Sequence, residues 1–248
     1  MVNVNGKWAF ITGAARGIGY LTALFLADQG CNLVLHGRTK AHCEKVLNEV
    51  KAKGVQAYAV EAEFTNMDQV KAMLQEIDSL NVRIDFVANN AGMQVAYRND
   101  YCNTPVEDYE KSFAINTIAP ALIMYHFLPK MKEKGFGRIL NTTSGIRLDP
   151  QQAGYSASKA ALDKITIDLG STVQGTDVMI NLTDPGWCRT DLGGPHAPNA
   201  PESAIPGIVV GLFVDDKKSG RYLNAPHFTG MTLEDAVKKA EAEFASPY

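Results

Sequence analysis

Trp8-Ala9-Phe10-Ile11-Thr12-Gly13-Ala14-Ala15-Arg16-Gly17-Ile18-Gly19 carries the reading of the fold. An apolar run too short for a helix, Trp8 to Ile11, gives way to a glycine turn. Apolar residues at helical spacing follow from Ile18 to Ala27, up to Gly30. Strand, tight turn and helix in that order form the first half of a βαβ unit. Glycines there let the backbone turn sharply and approach a pyrophosphate, and the helix N-terminus offers free N–H groups and the positive end of its dipole. The spacing is Gly-x-x-x-Gly-x-Gly, not the Gly-x-Gly-x-x-Gly of the usual dinucleotide fingerprint, so the strand–turn–helix context carries the assignment.

The pattern repeats outward from this stretch. Asn32–Leu35, Val55–Val60, Ile84–Ala88, Arg138–Thr142 and Val178–Leu182 read as buried strands, and Gly220–Leu223 as a last one. Helical spacing fills Thr39–Lys53, Met67–Leu80 and Tyr155–Gly170. Pro105–Lys134 reads as one long helix, broken or bent near Pro120 and Pro129. Thr232 with Asp235 resembles a capping box opening a closing helix with Leu233, Ala236, Val237, Ala240 and Phe244 on one face. The expected architecture is α/β: a single doubly wound Rossmann-type domain over residues 1–248, its parallel sheet flanked by helices on both faces. Gly193 to Pro206, rich in Gly, Pro, Asn and His, reads as a loop beside the substrate.

Composition narrows the function classes. The 248 residues are 46% hydrophobic and 21% charged, enough to bury a sizeable core and unlike a disordered chain. Net charge is −3, which gives no electrostatic footprint for nucleic acid or an anionic membrane. Four cysteines lie far apart without metal spacing and read as reduced thiols, so no metal site is expected. With no signal peptide and no apolar stretch long enough to span a bilayer, the expectation is a soluble cytoplasmic protein.

Two further stretches carry chemistry. After the second strand comes His36-Gly37-Arg38-Thr39, where an NAD-binding fold usually places an acid for the ribose 2′-hydroxyl. Gly37 removes that acid, and the Arg38 guanidinium suits a 2′-phosphate, with Arg16 expected to reach the same phosphate from the other side. Tyr155-Ser156-Ala157-Ser158-Lys159 puts a phenol and an ammonium four residues apart on one helix face. A phenol with a pKa near 10 is a poor acid or base at neutral pH, and a neighbouring cation lowers it.

Taken together, these residues make the chain resemble the short-chain dehydrogenase/reductases from about Gly6 to Gly194. The resemblance implies a coenzyme turn at Gly13, Arg16, Gly17, Ile18 and Gly19, and an Asn-Asn-Ala-Gly motif at Asn89 to Gly92, with Asn90 bordering the adenosine. Glu63 and Phe64 stand where many members have Asp-Val beside the adenine. Pro185, Gly186 and Thr190 resemble the segment that holds the nicotinamide carboxamide. It further implies a catalytic set of Asn116, which holds a water in the proton relay, with Ser144, Tyr155 and Lys159; Tyr155 and Lys159 also touch the coenzyme. Thr143 is a possible stand-in for Ser144, since the eleven-residue gap to Tyr155 is short. The implied activity is hydride transfer between NADP(H) and a carbonyl or secondary alcohol of a small molecule, in a homo-oligomer, tetramer or dimer. Trp187 to Pro195 resembles the carbonyl-reductase branch. The alternatives are a 3-oxoacyl-thioester reductase and a non-catalytic NADP(H)-binding regulator; a regulator would be expected to lack one of the four catalytic residues.

Overall fold

A computed structural model describes residues 1–248. Seven strands form one parallel sheet: β1 (Trp8–Ile11), β2 (Asn32–Gly37), β3 (Ala57–Glu61), β4 (Ile84–Asn89), β5 (Gly137–Thr142), β6 (Val178–Asp184) and β7 (Tyr222–Asn224). Their order is β3-β2-β1-β4-β5-β6-β7, so the winding reverses between β1 and β4 and leaves a crevice at their C-terminal ends.

Successive residues of a strand face opposite sides, and the core divides accordingly. Ala9, Ile11, Leu33 and Leu35 pack with α1 (Gly17–Asp28), α2 (Glu44–Ala52), α7 (Val210–Phe213) and α8 (Leu233–Glu243). Phe10, Val34, Ile139 and Ile180 pack on the other face with α3 (Met67–Ser79), α5 (Ala119–Lys134) and α6 (Ala153–Ser171). The doubly wound architecture expected from the sequence is the one observed. Helix α4 (Val106–Phe113) lies against α6, with the Gly154 Cα so near the Asp108 carbonyl that an added Cβ would stand 2.8 Å from it.

The predicted bend near Pro120 takes the form of a widened turn, Ala114–Ile118, between α4 and α5. Proline has no N–H for the carbonyl four residues back, which here belongs to Asn116. Pro129, by contrast, stays inside α5. The Thr39–Lys53 helix begins as a 3-10 turn, Lys40–Cys43, capped by the Thr39 hydroxyl, before α2 proper. The third strand starts at Ala57 rather than Val55, and the last covers Tyr222–Asn224 rather than Gly220–Leu223. Thr232 caps α8 as expected, accepting from the Asp235 N–H at 3.1 Å. No helix is long and apolar enough to cross a membrane.

Candidate active site

The crevice at the β1/β4 switch is floored by the glycine turn. Gly13 and Gly17 hold φ of +64° and +56°, the left-handed region that glycine adopts without strain. At Gly19 an added Cβ would lie 2.2 Å from the Gly13 carbonyl oxygen and 2.4 Å from the Asn90 amide nitrogen. Arg16 precedes α1 in an extended conformation and caps it with no side chain, so the first N–H groups of α1, beginning at Gly17 and Ile18, lack a side-chain partner. A turn that lacks Cβ atoms at residues 13, 17 and 19, at an uncapped helix N-terminus, fits a dinucleotide pyrophosphate.

Asn90 and Thr12 tie β4 to this turn. The Thr12 hydroxyl accepts from the Asn90 and Ala91 N–H groups, each at 2.9 Å, and the Asn90 amide donates to the Thr12 carbonyl at 3.2 Å. His36, missed in the sequence as a site residue, supports the turn from β2. Its Nδ1 accepts from the Gly13 N–H at 3.2 Å, its Nε2 lies 3.0 Å from the Ala62 carbonyl, and its ring stacks on Phe64 at 4.2 Å. Burial lowers its pKa to about 4, so the ring is neutral with Nε2 as donor. Phe64 is thereby a buried core residue beneath His36. Half-buried Glu63 turns its carboxylate to the Thr65 N–H at 3.4 Å.

At the ribose end, Arg16 pairs with Asp191 at 2.7 Å, both side chains being about 70% exposed. Arg38 stands exposed at the end of β2. Gly37 is more than an absent acid, because a Cβ there would meet Cys43 Sγ at 2.8 Å and the Thr39 carbonyl at 3.1 Å. Across the crevice, Thr190 packs on Gly17, whose Cβ would lie 3.4 Å from Thr190 Cγ2, and Gly186 adopts φ of +74° beside half-buried Pro185.

The polar set converges at the C-terminal ends of β4, β5 and β6. Tyr155 and Lys159 share one face of α6 and are 7% and 4% exposed. Lys159 Nζ lies 5.9 Å from the Tyr155 ring centroid and donates to the Thr142 carbonyl at 2.8 Å. Burial lowers the Lys159 pKa to about 8, against the pull of Asp163 and Asp184. Burial raises that of Tyr155; the Ser144 hydroxyl, as its hydrogen-bond partner, opposes the shift and Asp184 adds to it. Thr143 is buried with its hydroxyl donated to Asp163, whereas Ser144, past the end of β5, is half-buried. Ser144, not Thr143, is the hydroxyl beside Tyr155.

Asn116 sits in the widened turn, where its amide is spent on structure. It donates to the Met93 carbonyl at 2.8 Å and to Ser158 Oγ at 3.0 Å, and accepts from the Met93 N–H at 2.9 Å. Asn116 and Lys159 meet at Gly92, whose added Cβ would stand 3.4 Å and 3.5 Å from them. No three His, Cys, Asp or Glu side chains group as a metal site.

The model of the short chain dehydrogenase family matches residues 7–200, and the chain belongs to that family. It is 28% identical over 236 residues to the 3-oxoacyl-(acyl-carrier-protein) reductase FabG of Staphylococcus aureus, covering 92% of this chain and 95% of the relative. A metagenomic short-chain oxidoreductase solved in complex with NADP superposes with a TM-score of 0.69 at 28% identity, over 76% of this chain and 86% of that one. An NAD+-bound xylitol dehydrogenase does so with a TM-score of 0.77 at 25% identity, over 90% and 98%.

Proposed function

We propose that the chain is an NADP(H)-dependent reductase of a carbonyl on a small organic substrate. One observation carries the reading: a buried Tyr155 with the Lys159 ammonium below it and the Ser144 hydroxyl beside it, at the mouth of a crevice floored by the glycine turn. The coenzyme, when bound, supplies the hydride. Gly13, Gly17, Ile18 and Gly19 would hold its pyrophosphate, and Arg38 the additional phosphate. Arg16 can join it, since an exposed ion pair such as its contact with Asp191 contributes little and yields readily. Pro185, Gly186 and Thr190 would hold the nicotinamide end, and Asn90 the adenosine side. Glu63 remains beside the adenine in this proposal, with Phe64 acting through His36.

The substrate oxygen accepts a hydrogen bond from Ser144 and the proton of Tyr155. Burial keeps that phenol protonated through neutral pH, which suits a general acid. Lys159 stabilises the phenolate left behind, and the Asn116 carbonyl would hold the water that returns the proton. Positioning and acid catalysis are both required, the latter typically contributing about 10²–10⁴-fold. The exposed aromatics Tyr97 and Trp187, with Leu148 and the 193–206 loop, would line the substrate's apolar part. The Staphylococcus aureus relative favours one second reading, a 3-oxoacyl-thioester reductase. NADPH oxidation against simple ketones, aldehydes and acetoacetyl thioesters separates the two, and absence of any turnover would leave a coenzyme-binding regulator. A cytoplasmic homo-oligomer, dimer or tetramer, belongs to the same proposal.

A further inference from the structure

The Asp184 carboxylate, at the C-terminal end of β6, is 7% exposed and joins three separate segments. Its Oδ2 accepts from the Gly145 N–H at 2.8 Å and from the Tyr222 hydroxyl at 2.6 Å. Its Oδ1 accepts from the Gly186 N–H at 2.9 Å. Gly145 directly follows Ser144, Gly186 forms the turn after β6, and Tyr222 opens β7.

A buried carboxylate is costly unless its lone pairs are met, and bonds to an ionised acceptor are stronger than neutral ones. Here three donors meet it. The approach depends on glycine, since a Cβ at residue 145 would already stand 3.1 Å from Asp184 Oδ2 and 3.5 Å from the Tyr222 hydroxyl. Gly186, at φ +74°, aims its N–H back along the strand to the same carboxylate.

We propose that Asp184 is a positioning residue that locks the Ser144 segment to the Pro185–Gly186 turn through one carboxylate. The hydroxyl that meets the substrate oxygen and the backbone that meets the coenzyme are thereby set in register. This rests on the roles given to Ser144 and Gly186 under the proposed function.

Two variants of the full chain test it. Asp184→Asn keeps the volume, but whichever way the amide lies, its NH2 faces at least one of the two backbone N–H groups. Asp184→Ala removes both bonds. Amide hydrogen exchange at Gly145 and Gly186, NADPH affinity by fluorescence titration and kcat with a turned-over ketone are read together. In Asp184→Ala the expectation is faster exchange at both amides, and roughly tenfold losses in NADPH affinity and in kcat with the ketone KM unchanged. Asp184→Asn should speed exchange at one amide at least. Tyr222→Phe leaves both backbone bonds intact and should leave all three readouts unchanged. Wild-type protection at Gly145 and Gly186 in both Asp184 variants would overturn the proposal, as would lost protection with unchanged affinity and kcat. If the unaltered chain binds NADPH yet turns over no carbonyl, the proposed activity falls, while exchange and affinity still decide the part played by Asp184.

Discussion

At the scale of single residues, the pH dependence of the two reaction directions should part. Carbonyl reduction needs the protonated Tyr155, whose pKa burial raises, and the Lys159 ammonium, whose pKa burial lowers to about 8, so its kcat should hold through neutral pH and fall in alkali as Lys159 loses its proton first. Alcohol oxidation needs the phenolate and should climb over the alkaline range. Initial rates in both directions across buffers of constant ionic strength check this; a reduction rate that halves well below neutrality contradicts it. Arg38 makes a second test. Hydrogen bonds to charged groups contribute about 1.5–3 kcal/mol, so Arg38→Leu should raise the NADPH KM by roughly ten- to a hundredfold and spare NADH. An acid at residue 37 is the poorer probe, because its Cβ meets Cys43 and Thr39 before its carboxylate meets a ribose.

At the scale of elements, the proposed coenzyme site is the glycine turn and the strand ends beside it. Gly19→Ala drives a Cβ into the Gly13 carbonyl and the Asn90 amide, and should abolish measurable NADPH binding and lower the melting temperature. His36 adds a pH signature. Its folded pKa of about 4 lies below the ordinary 6.5, so between these values the unfolded chain binds the extra proton. Stability from this group is therefore full above pH 6.5 and is lost as pH falls towards 4, by up to about 3 kcal/mol. Asp163, raised by burial from 3.8 to about 6, works in the opposite sense over much of the same window. The comparison of wild type with His36→Asn in urea melts at pH 7 and pH 4.5 removes that contribution; equal acid losses in the two would refute the assignment.

These same elements show what the sequence could reveal. The inner strands were legible because burial on both sides demands unbroken apolar runs, and α1, α3, α6 and α8 because of their helical spacing. Tyr155, Lys159 and Ser144 were legible as a linear pattern in a recognisable order. His36 and Asp184 were not, because these partners are remote in sequence, at the ends of other strands: His36 meets Gly13 and Ala62, and Asp184 meets Gly145 and Tyr222. The signal that remained was an acid closing the buried run Val178 to Thr183 just before Pro185-Gly186, and a histidine at the end of an apolar strand beside the missing acid. The Arg16–Asp191 contact spans 175 positions, beyond any local pattern.

For the molecule as a whole, the sheet order places every proposed catalytic and coenzyme residue at one edge: the glycine turn after β1, Asn90 after β4, Ser144 after β5, and Pro185 after β6. The rest of the chain holds these ends in place, with the widened turn before α5 presenting Asn116 and α6 presenting Tyr155 and Lys159 from one face, and α1 from the other. The claim that this edge reduces carbonyls with Tyr155 as the acid is tested most directly by Tyr155→Phe. NADPH binding and NADPH-linked ketone reduction are measured on the same preparation. The phenyl ring preserves the packing and removes only the transferable proton, so the affinity for NADPH should stay near wild type while kcat drops at least about a hundredfold. A variant that keeps more than about a tenth of the wild-type rate would contradict the account, given the size of effect that acid catalysis commands.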